Sequence, residues 1–423
     1  MIRKVLPALF ALSLSVQAAL AANCTSYPLP YTLTNGQTAD ATQVMANFND
    51  VLNCVNALNA ATGPASSVAG HLATFADTSG KVLQDGGPFS VSAQYLASSA
   101  VALGVTMLNG TIVPSNAANA LTFTIQTLAG ATPSAADPVY FVFRNASAGT
   151  GNYSVISVTA ALSVTVPTSS TLGFSNNTPG RIWVVAINNS GTVELAVINC
   201  LTSTSTSKNI YPLSGWGIVN TTALGGPSNS TGVFYSTIAR SAVPYGVLGY
   251  ASYETGLATA GTWNANPTRM ELYRPGVPLP GAVVQIVYST TTSTTTISTT
   301  SKTATSLTGT ITPTSAANPV YVRALGTTTT NGTTSAHTAI WQIYRNTGTT
   351  AVGGATGTEP GGSGNTSSTV LTEAFDSPQT TSATQYGLYG LLTNTANSTN
   401  VWLGTGDSQP TMTGMMKIEE IMG

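Results

Sequence analysis

Ionisable side chains are scarce in this sequence. Asp, Glu, Lys and Arg make up 6% of its 423 residues, whereas about 25% is usual in soluble domains. The 13 basic residues are scattered singly, and the formal net charge is -1. Nucleic acid is bound by clustered Lys and Arg that release counterions, so this composition argues against a nucleic-acid partner. We expect recognition through neutral hydrogen-bonding surfaces instead.

Histidine is nearly absent, which limits the chemistry that the chain can perform. His71 and His337 are the two histidines, and neither lies in a nucleophile-elbow pattern. The tripeptide at 406–408 resembles the start of a GDSL hydrolase block, but it lies at the wrong end of the chain. The sequence also lacks metal-ligand spacing, a phosphate loop and a nucleotide fingerprint. We therefore expect no enzyme activity, no metal and no cofactor.

Paired carboxylates are the one route left to catalysis. Glu373 lies close to Asp376 in sequence, and Glu419 is next to Glu420. On a strand, Glu419 and Glu420 would point to opposite faces and could not converge. Glu373 and Asp376 are expected near each other, so a polysaccharide-degrading spike with a glycosidase pair stays an alternative.

Three cysteines allow at most one intrachain disulfide. Residues 1–22 carry two early positive charges, an apolar run and small residues at the end, a pattern typical of a secretory signal peptide. No later segment is apolar enough to span a bilayer. If the chain is exported, Cys24 could pair with Cys54; the alternative is three unpaired thiols, Cys200 included.

The segment 40–60 is the one stretch that predicts a helix firmly. Its apolar residues recur mostly at steps of four and three and form a narrow stripe. Two heptads are too short for a lone helix in water. We therefore predict a homo-oligomeric bundle, with packing on the chain's own sheet as the alternative. The stripe is formed by Val44, Phe48, Val51, Val55 and Leu58.

Two N-terminal motifs carry a resemblance to a known family. The segments YTLTNGQTADATQVMANF (31–48) and HLATFADTSGKVLQDGG (71–87) are similar to the N-terminal part of bacteriophage and prophage tail fibre proteins. In those proteins the second motif recurs as a connector, and its turn signals here predict a small hairpin. Parts of 117–287, including GTWNANPTRMELYRPGVPLPG (261–281), also resemble a tail fibre domain. The resemblance implies a homotrimeric structural protein that attaches to a host surface.

From residue 117 onward the pattern is that of short β-strands. IWVVAI (182–187) and TVELAVI (192–198) flank a turn containing Asn188 and Gly191, which predicts a tight hairpin. Because IWVVAI is apolar on both faces, it should be a central strand covered on each side, as in a sandwich. A Thr-Pro-Ser-Ala-Ala-Asp-Pro-Val-Tyr segment at 132–140 returns with one insertion at 312–321. This predicts a shared turn into a strand.

The C-terminal part contains two stretches without apolar periodicity. Residues 289–306 are almost all Ser and Thr; they favour a flexible linker, with a Thr-paired β stretch as the alternative. Residues 348–368 are rich in Gly and Thr and are expected to lie outside the sheets. The end of the chain resembles the jelly-roll head of phage fibres.

Aromatic residues cluster in this C-terminal part among neutral polar neighbours. Such rings suit stacking on sugars at a receptor-binding tip. The alternative is that they fill the core of a small sandwich. The cluster consists of Trp341, Tyr344, Tyr386, Tyr389 and Trp402.

The sequence thus predicts a mainly β protein with a short coiled-coil-like helix. The predicted order is a signal peptide at 1–22, an arm and oligomerisation helix at 23–63, a β connector at 64–115, a β-sandwich at 116–288, a linker at 289–306 and a jelly-roll-like head at 307–423. We expect an extracellular or virion homotrimer that binds a cell-surface polysaccharide or protein receptor and other tail or surface proteins. An exported bacterial adhesin or matrix protein is the first alternative.

Overall fold

A computed structural model describes most of the β-rich part of the chain. The described residues are 30–32, 40–58, 71–75, 83–88, 104–144, 153–203, 208–332, 338–358, 364–393, 400–403 and 413–423. The chain forms two compact units, Met1–Ser92 and Ala93–Gly423. Among the described residues the structure is mainly β with one helix, so the predicted fold class is confirmed.

Helix α1 spans Ala41–Leu58, within two residues of its predicted ends. Asp40 caps the first turn, because its carboxylate accepts a hydrogen bond from the Thr42 N–H at 2.7 Å, satisfying a donor that a helix start leaves unpaired. That hydrogen bond lowers the pKa of Asp40 below its usual value. Asn47 fastens the preceding arm to the helix through two hydrogen bonds to the backbone of Tyr31, at 3.1 and 2.8 Å.

Two residues of the predicted helix seam are exposed. Phe48 is 66% and Val51 49% exposed in the single chain, while Val44 is half-buried. Oligomerisation and disulfide formation stay predictions. Several predicted features lie outside the described part: residues 1–22, Cys24, His337, residues 406–408 and the side chains of Cys54, Val55, Leu58, His71 and Trp402.

The predicted connector hairpin is confirmed. Strands β1 (His71–Phe75) and β2 (Leu83–Pro88) pair antiparallel. The Asp-Gly-Gly segment at 85–87 lies within β2, where the register shifts between the Ala73–Asp85 and His71–Pro88 pairs.

In the described residues from 104 to 272, fifteen strands form sheets that enclose two cores. A seven-stranded sheet has the order β13-β16-β9-β10-β15-β14, with β17 also on β16, and it packs with the three-stranded sheets β3-β6-β7 and β4-β5-β8. The strands are β3 (Met107–Leu108), β4 (Gly110–Ala117), β5 (Ala120–Thr127), β6 (Val139–Arg144), β7 (Tyr153–Val158), β8 (Leu162–Val166), β9 (Gly180–Asn189), β10 (Thr192–Ile198), β11 (Leu201–Ser203), β12 (Lys208–Ile210), β13 (Trp216–Val219), β14 (Thr222–Ala223), β15 (Tyr235–Ser236), β16 (Val243–Tyr253) and β17 (Arg269–Leu272).

Strand β9 is central, as its sequence predicts. It pairs with β10 and β16 on its two sides. Ile182 and Val184 face one core, and Trp183 and Val185 face the other. A strand that is covered on both faces needs apolar residues at every position, which is why IWVVAI does not alternate.

Ten further strands, counted over the described residues from 283 onward, build a sandwich at the C-terminal end of the unit. A six-stranded sheet, β18-β27-β21-β26-β19 with β24 also on β21, packs on the four-stranded sheet β20-β25-β22-β23 around one core. The strands are β18 (Val283–Thr291), β19 (Thr295–Ile297), β20 (Thr303–Ile311), β21 (Val320–Gly332), β22 (Ala339–Arg345), β23 (Thr350–Thr358), β24 (Gly364–Asp376), β25 (Thr384–Leu392), β26 (Asn400–Leu403) and β27 (Gly414–Ile421).

The Ser/Thr-rich segment 289–306 contributes to three strands, so the linker prediction is wrong and its β alternative holds. The segment contains the end of β18, all of β19 and the start of β20. The hydroxyls form hydrogen bonds both within a sheet and between sheets: Thr305 donates to the Leu388 carbonyl at 2.7 Å on the neighbouring strand, and Thr291 donates at 3.1 Å to Ser306 Oγ of the facing sheet. The segment has no apolar periodicity of its own, and its strands are held by main-chain pairing with β27, β26 and β25.

The loop prediction for 348–368 is also wrong. Strand β23 lies inside it and β24 begins there, with the hydroxyls of Thr356 and Thr372 2.6 Å apart between them. Two predicted domain boundaries, at 115–116 and 288–289, fall inside β4 and β18. Strand β18 belongs with the C-terminal sheet because its partner is β27.

The repeated segment enters a strand in both copies, as predicted. The first leads into β6 and the second into β21. Asp137 of the first copy accepts a hydrogen bond from the Asn109 amide at 2.7 Å. Asn318 of the second copy lies in a buried polar cluster with Arg181.

Candidate functional site

Strand alternation divides the predicted aromatic cluster between two faces of the four-stranded sheet. Trp341 on β22 and Tyr386 on β25 are fully buried in the core, so for these two the receptor-binding prediction is wrong. Tyr344 and Tyr389 lie three residues further along the same strands and are half-buried on the outer face. Residues three apart on a strand point to opposite sides, so one cluster in sequence becomes two sites in space.

Tyr344 and Tyr389 form the centre of an outward patch. Their ring centroids are 5.0 Å apart with an interplanar angle of 60°. The ammonium of Lys302 lies over the Tyr344 ring, 4.5 Å from its centroid, in cation–π geometry. The Gln342 amide donates to the Gly353 carbonyl at 3.1 Å. We call Lys302, Gln342, Tyr344 and Tyr389 the tyrosine patch.

A tight turn after β22 forms one edge of the tyrosine patch. Asn346, Thr347 and Gly348 all have positive φ, at 54°, 55° and 89°. A side chain at Gly348 would lie 2.7 Å from the Tyr389 hydroxyl, so glycine lets the backbone approach the ring. Lys302 donates a hydrogen bond to the Gly348 carbonyl. The patch therefore has an edge of neutral groups and one cation.

A buried hydrogen bond supports the sheet beneath the patch. The Tyr386 hydroxyl donates to Asp376 Oδ2 at 2.8 Å, and Arg345 Nη1 lies 3.3 Å from the same carboxylate oxygen. Burial, with the charge of Asp376 as the second cause, raises the pKa of Tyr386 well above its usual value. Arg345 thus joins the Tyr386–Asp376 pair to the turn at 346–348, which follows it directly in sequence.

The predicted carboxylate pair does not converge. Asp376 is buried against Tyr386, whereas Glu373 is exposed and paired with Arg323 at 3.2 Å. The two acids lie three positions apart on β24 and therefore face opposite sides. The prediction that they lie near each other for catalysis is wrong. Glu419 and Glu420 also face opposite sides of β27, as predicted.

Reactive and metal-ligating side chains elsewhere in the described residues form no further candidate site. Cys200 is an unpaired, buried thiol, and burial raises its pKa. Among the described residues, no three His, Cys, Asp or Glu side chains gather as a metal site would require. The single described helix is too short or too polar to cross a membrane.

Sequence reasoning found both tyrosines but missed two other parts of the patch. Lys302 falls in the segment expected to be a linker, and residues 346–348 border the segment expected to be an excluded loop. The alternation of side chains along a strand was the available signal, because residues an odd number of positions apart face opposite sides. It places Trp341 and Tyr344 on opposite faces, and likewise Tyr386 and Tyr389.

Comparisons with known proteins give no close relative. No protein-family model matches the chain, and no curated protein matches it. Among solved structures, infectious bursal disease virus of the Gt strain aligns at 12% identity over 75% of this chain and 73% of that chain, with a TM-score of 0.25. The Gx strain aligns at 9% identity over 75% and 78%, with a TM-score of 0.23.

An insecticidal δ-endotoxin, Cry8Ea1 from Bacillus thuringiensis, aligns over a longer part of the chain. Its identity is 8% over 90% of this chain and 67% of that chain, with a TM-score of 0.18. Scores of this size establish neither a shared fold nor a shared function with any of these proteins.

Proposed function

We propose that this chain is a non-enzymatic attachment protein, resembling phage tail fibres, that binds cell-surface glycans through the tyrosine patch. The observation that carries the proposal is the pair of half-buried rings of Tyr344 and Tyr389 on an outward sheet face. Aromatic rings offer apolar faces on which the C–H groups of a sugar can stack, while nearby polar groups fix its orientation.

The neighbours of the two rings favour a neutral or weakly acidic glycan. Gln342, Asn346 and Thr347 supply uncharged donors and acceptors, and Lys302 is the cation over the Tyr344 ring. One cation cannot balance a highly charged polymer, but it can accept a single carboxylate or an array of hydroxyls. The low charge of the whole sequence agrees with such a partner.

Self-association through α1 is the second part of the proposal. Phe48 and Val51 are exposed apolar residues at helical spacing, and a short helix gains most of its stability from packing. A homotrimer would bury these residues and present three tyrosine patches, which raises avidity for a repetitive polysaccharide. Other tail or surface proteins would hold the assembly in place.

Glycan binding is tested with immobilised bacterial polysaccharides of neutral and acidic repeat units, measured by biolayer interferometry on the full chain. We expect Tyr389→Ala to lower the apparent affinity at least tenfold. Tyr211→Ala, which removes an exposed tyrosine elsewhere, is the matched control. Equal binding by both variants, or no binding to any polysaccharide by the parent chain, would exclude the patch as the binding site.

The non-enzymatic part has its own test. Incubation with a polysaccharide that the chain binds should leave the viscosity unchanged, and Glu373→Gln should make no difference. A fall in viscosity that Glu373→Gln abolishes would instead establish a depolymerase.

The signal-peptide pattern at residues 1–22 favours an exported bacterial adhesin as a second candidate, since the same patch would serve it. Mass spectrometry of purified virions and of culture supernatant distinguishes the two locations. We expect the chain in virions, and its presence in the supernatant alone would favour the adhesin.

A further inference from the structure

The outer face of the six-stranded sheet is unusually apolar for a surface. Strands β18, β27, β21 and β24 lie side by side, and their register aligns outward residues in rows across the sheet. Two rows are rich in large apolar side chains and flank a charged row. We call this surface the outer sheet face; its apolar members are Ile286, Tyr288, Leu325, Leu371, Phe375 and Met415.

The outer sheet face leaves these side chains open to solvent in the single chain. Ile286 is 55%, Tyr288 59% and Leu371 41% exposed. Leu325, which pairs with Leu371, and Phe375, at the β24 end of the row that begins with Ile286, are half-buried. Contiguous exposed apolar side chains on one face mark an interaction surface more often than scattered ones do.

The charges on this face are already paired with one another. Arg323 lies 3.2 Å from Glu373, and Lys417 lies 2.6 Å from Glu419. Two cations and two anions leave the face neutral, so it neither attracts a strongly charged partner nor repels a copy of itself. Burial would not leave an unpaired charge, which is the costly case.

The size of the face restricts how it can be used. Four strands about 4.8 Å apart and three outward rows about 6.8 Å apart cover roughly 400 Å². A stable interface buries about 800 Å² per partner. The face is therefore too small to hold two copies together alone. Self-association of α1, proposed above on its exposed residues Phe48 and Val51, would supply a second contact between the same copies.

From these observations we propose that the outer sheet face is an interface between copies of this chain. It acts together with the helix seam and holds the C-terminal sandwiches of neighbouring copies against one another. This inference does not depend on glycan binding, and it shares with the proposed function only the expectation of self-association.

Sedimentation velocity of the full chain over a range of concentrations tests the interface. We expect the double variant Ile286→Asp/Leu371→Asp to weaken the apparent association constant at least tenfold. The matched control is Leu128→Asp/Ile238→Asp, which changes two side chains exposed elsewhere in the same unit. A parent chain that is monomeric at every concentration, or equal association by both double variants, would overturn the proposal.

Thiol labelling provides a readout that does not depend on a disruptive charge. For the Leu371→Cys variant, the maleimide labelling rate is corrected by subtracting the rate of the parent chain. We expect this corrected rate to be at least tenfold lower in concentrated than in dilute protein. The Ile238→Cys variant should label at the same rate in both. Equal labelling of both variants in the assembled protein would show that the outer sheet face stays open, and the proposal would be wrong.

The experiments distinguish a failure of the glycan-binding proposal from a failure of the interface proposal. If Tyr389→Ala abolishes binding while association is unchanged, the interface stands. If Phe48→Asp abolishes association while Ile286→Asp/Leu371→Asp has no effect, the helix alone joins the copies and the outer sheet face does not.

Discussion

Arg181 Nη1 donates a hydrogen bond to Asn318 Oδ1 at 2.8 Å, joining residues 137 positions apart. The same guanidinium donates to Ser252 Oγ at 3.0 Å and to the Gly423 carbonyl at 2.9 Å. Its carbon lies 4.6 Å from the centroid of the Tyr250 ring. Burial lowers the pKa of Arg181 to about 10, which still leaves it charged at neutral pH. One buried cation thus connects the seven-stranded sheet to the C-terminal sandwich.

Arg181→Met should therefore destabilise the protein severely. Removing the guanidinium leaves the buried acceptors on Ser252, Asn318 and Gly423 without this donor, and each buried polar group left unsatisfied costs about 1–3 kcal/mol. The control is Arg269→Met, because Arg269 is half-exposed and pairs with Glu271 at the surface, where such a pair contributes at most about 1 kcal/mol. Urea unfolding measures both, and equal losses would contradict a special role for the buried cluster.

Tyr386→Phe should reduce stability without affecting glycan binding directly. The variant removes the hydroxyl that donates to Asp376 in the core, and a buried hydrogen bond to a charged group contributes about 1.5–3 kcal/mol. Tyr389→Phe keeps its ring at the surface and should unfold like the parent chain. Thermal unfolding followed by circular dichroism compares the two. A larger loss for Tyr389→Phe would contradict the assignment of the faces.

Gly249→Ala should disrupt the bulge in β16. The register shifts between Val247 and Gly249, and a Cβ at Gly249 would lie 2.3 Å from the Glu271 carbonyl oxygen. Forcing a methyl group into such a contact costs about 1–3 kcal/mol. Gly226→Ala is the control, since a Cβ there meets nothing within 4 Å. Similar unfolding midpoints in urea would show that the ladder has room to yield.

The pair of Glu194 and Arg240 makes stability depend on acid pH. Arg240 donates two hydrogen bonds to the Glu194 carboxylate, at 2.6 and 2.9 Å. These hydrogen bonds lower the pKa of Glu194 below its usual 4.5. A carboxylate with a lowered pKa in the folded state stabilises the fold above its unfolded pKa, and this contribution is lost as pH falls through the folded pKa.

Glu194→Gln should accordingly lower the Tm at pH 7, and the difference from the parent chain should narrow below pH 4.5. Arg240→Gln should behave in the same way because it removes the same interaction. Differential scanning calorimetry between pH 7 and acid pH provides the measurement. A Tm difference that does not change with pH would contradict this account.

Secondary structure was predicted correctly where apolar residues recur at a regular spacing or form an unbroken run. Asp40 began the helix, and the buried run of β9 and its hairpin partner β10 formed at their predicted positions. Segments of Ser, Thr and Gly were misassigned, because their side chains carry no period and their strands depend on the neighbours with which they pair. Sequence proximity also misled at Glu373 and Asp376, where strand alternation separates the two carboxylates.

Composition and local spacing were enough to predict that the chain is mainly β, is poor in charge and carries one short helix with an apolar stripe. Tertiary structure alone decided which tyrosines reach the surface, where Arg181 finds its partners and which sheet face stays apolar and open. Those outcomes depend on the register between strands far apart in the chain, and no local pattern records that register.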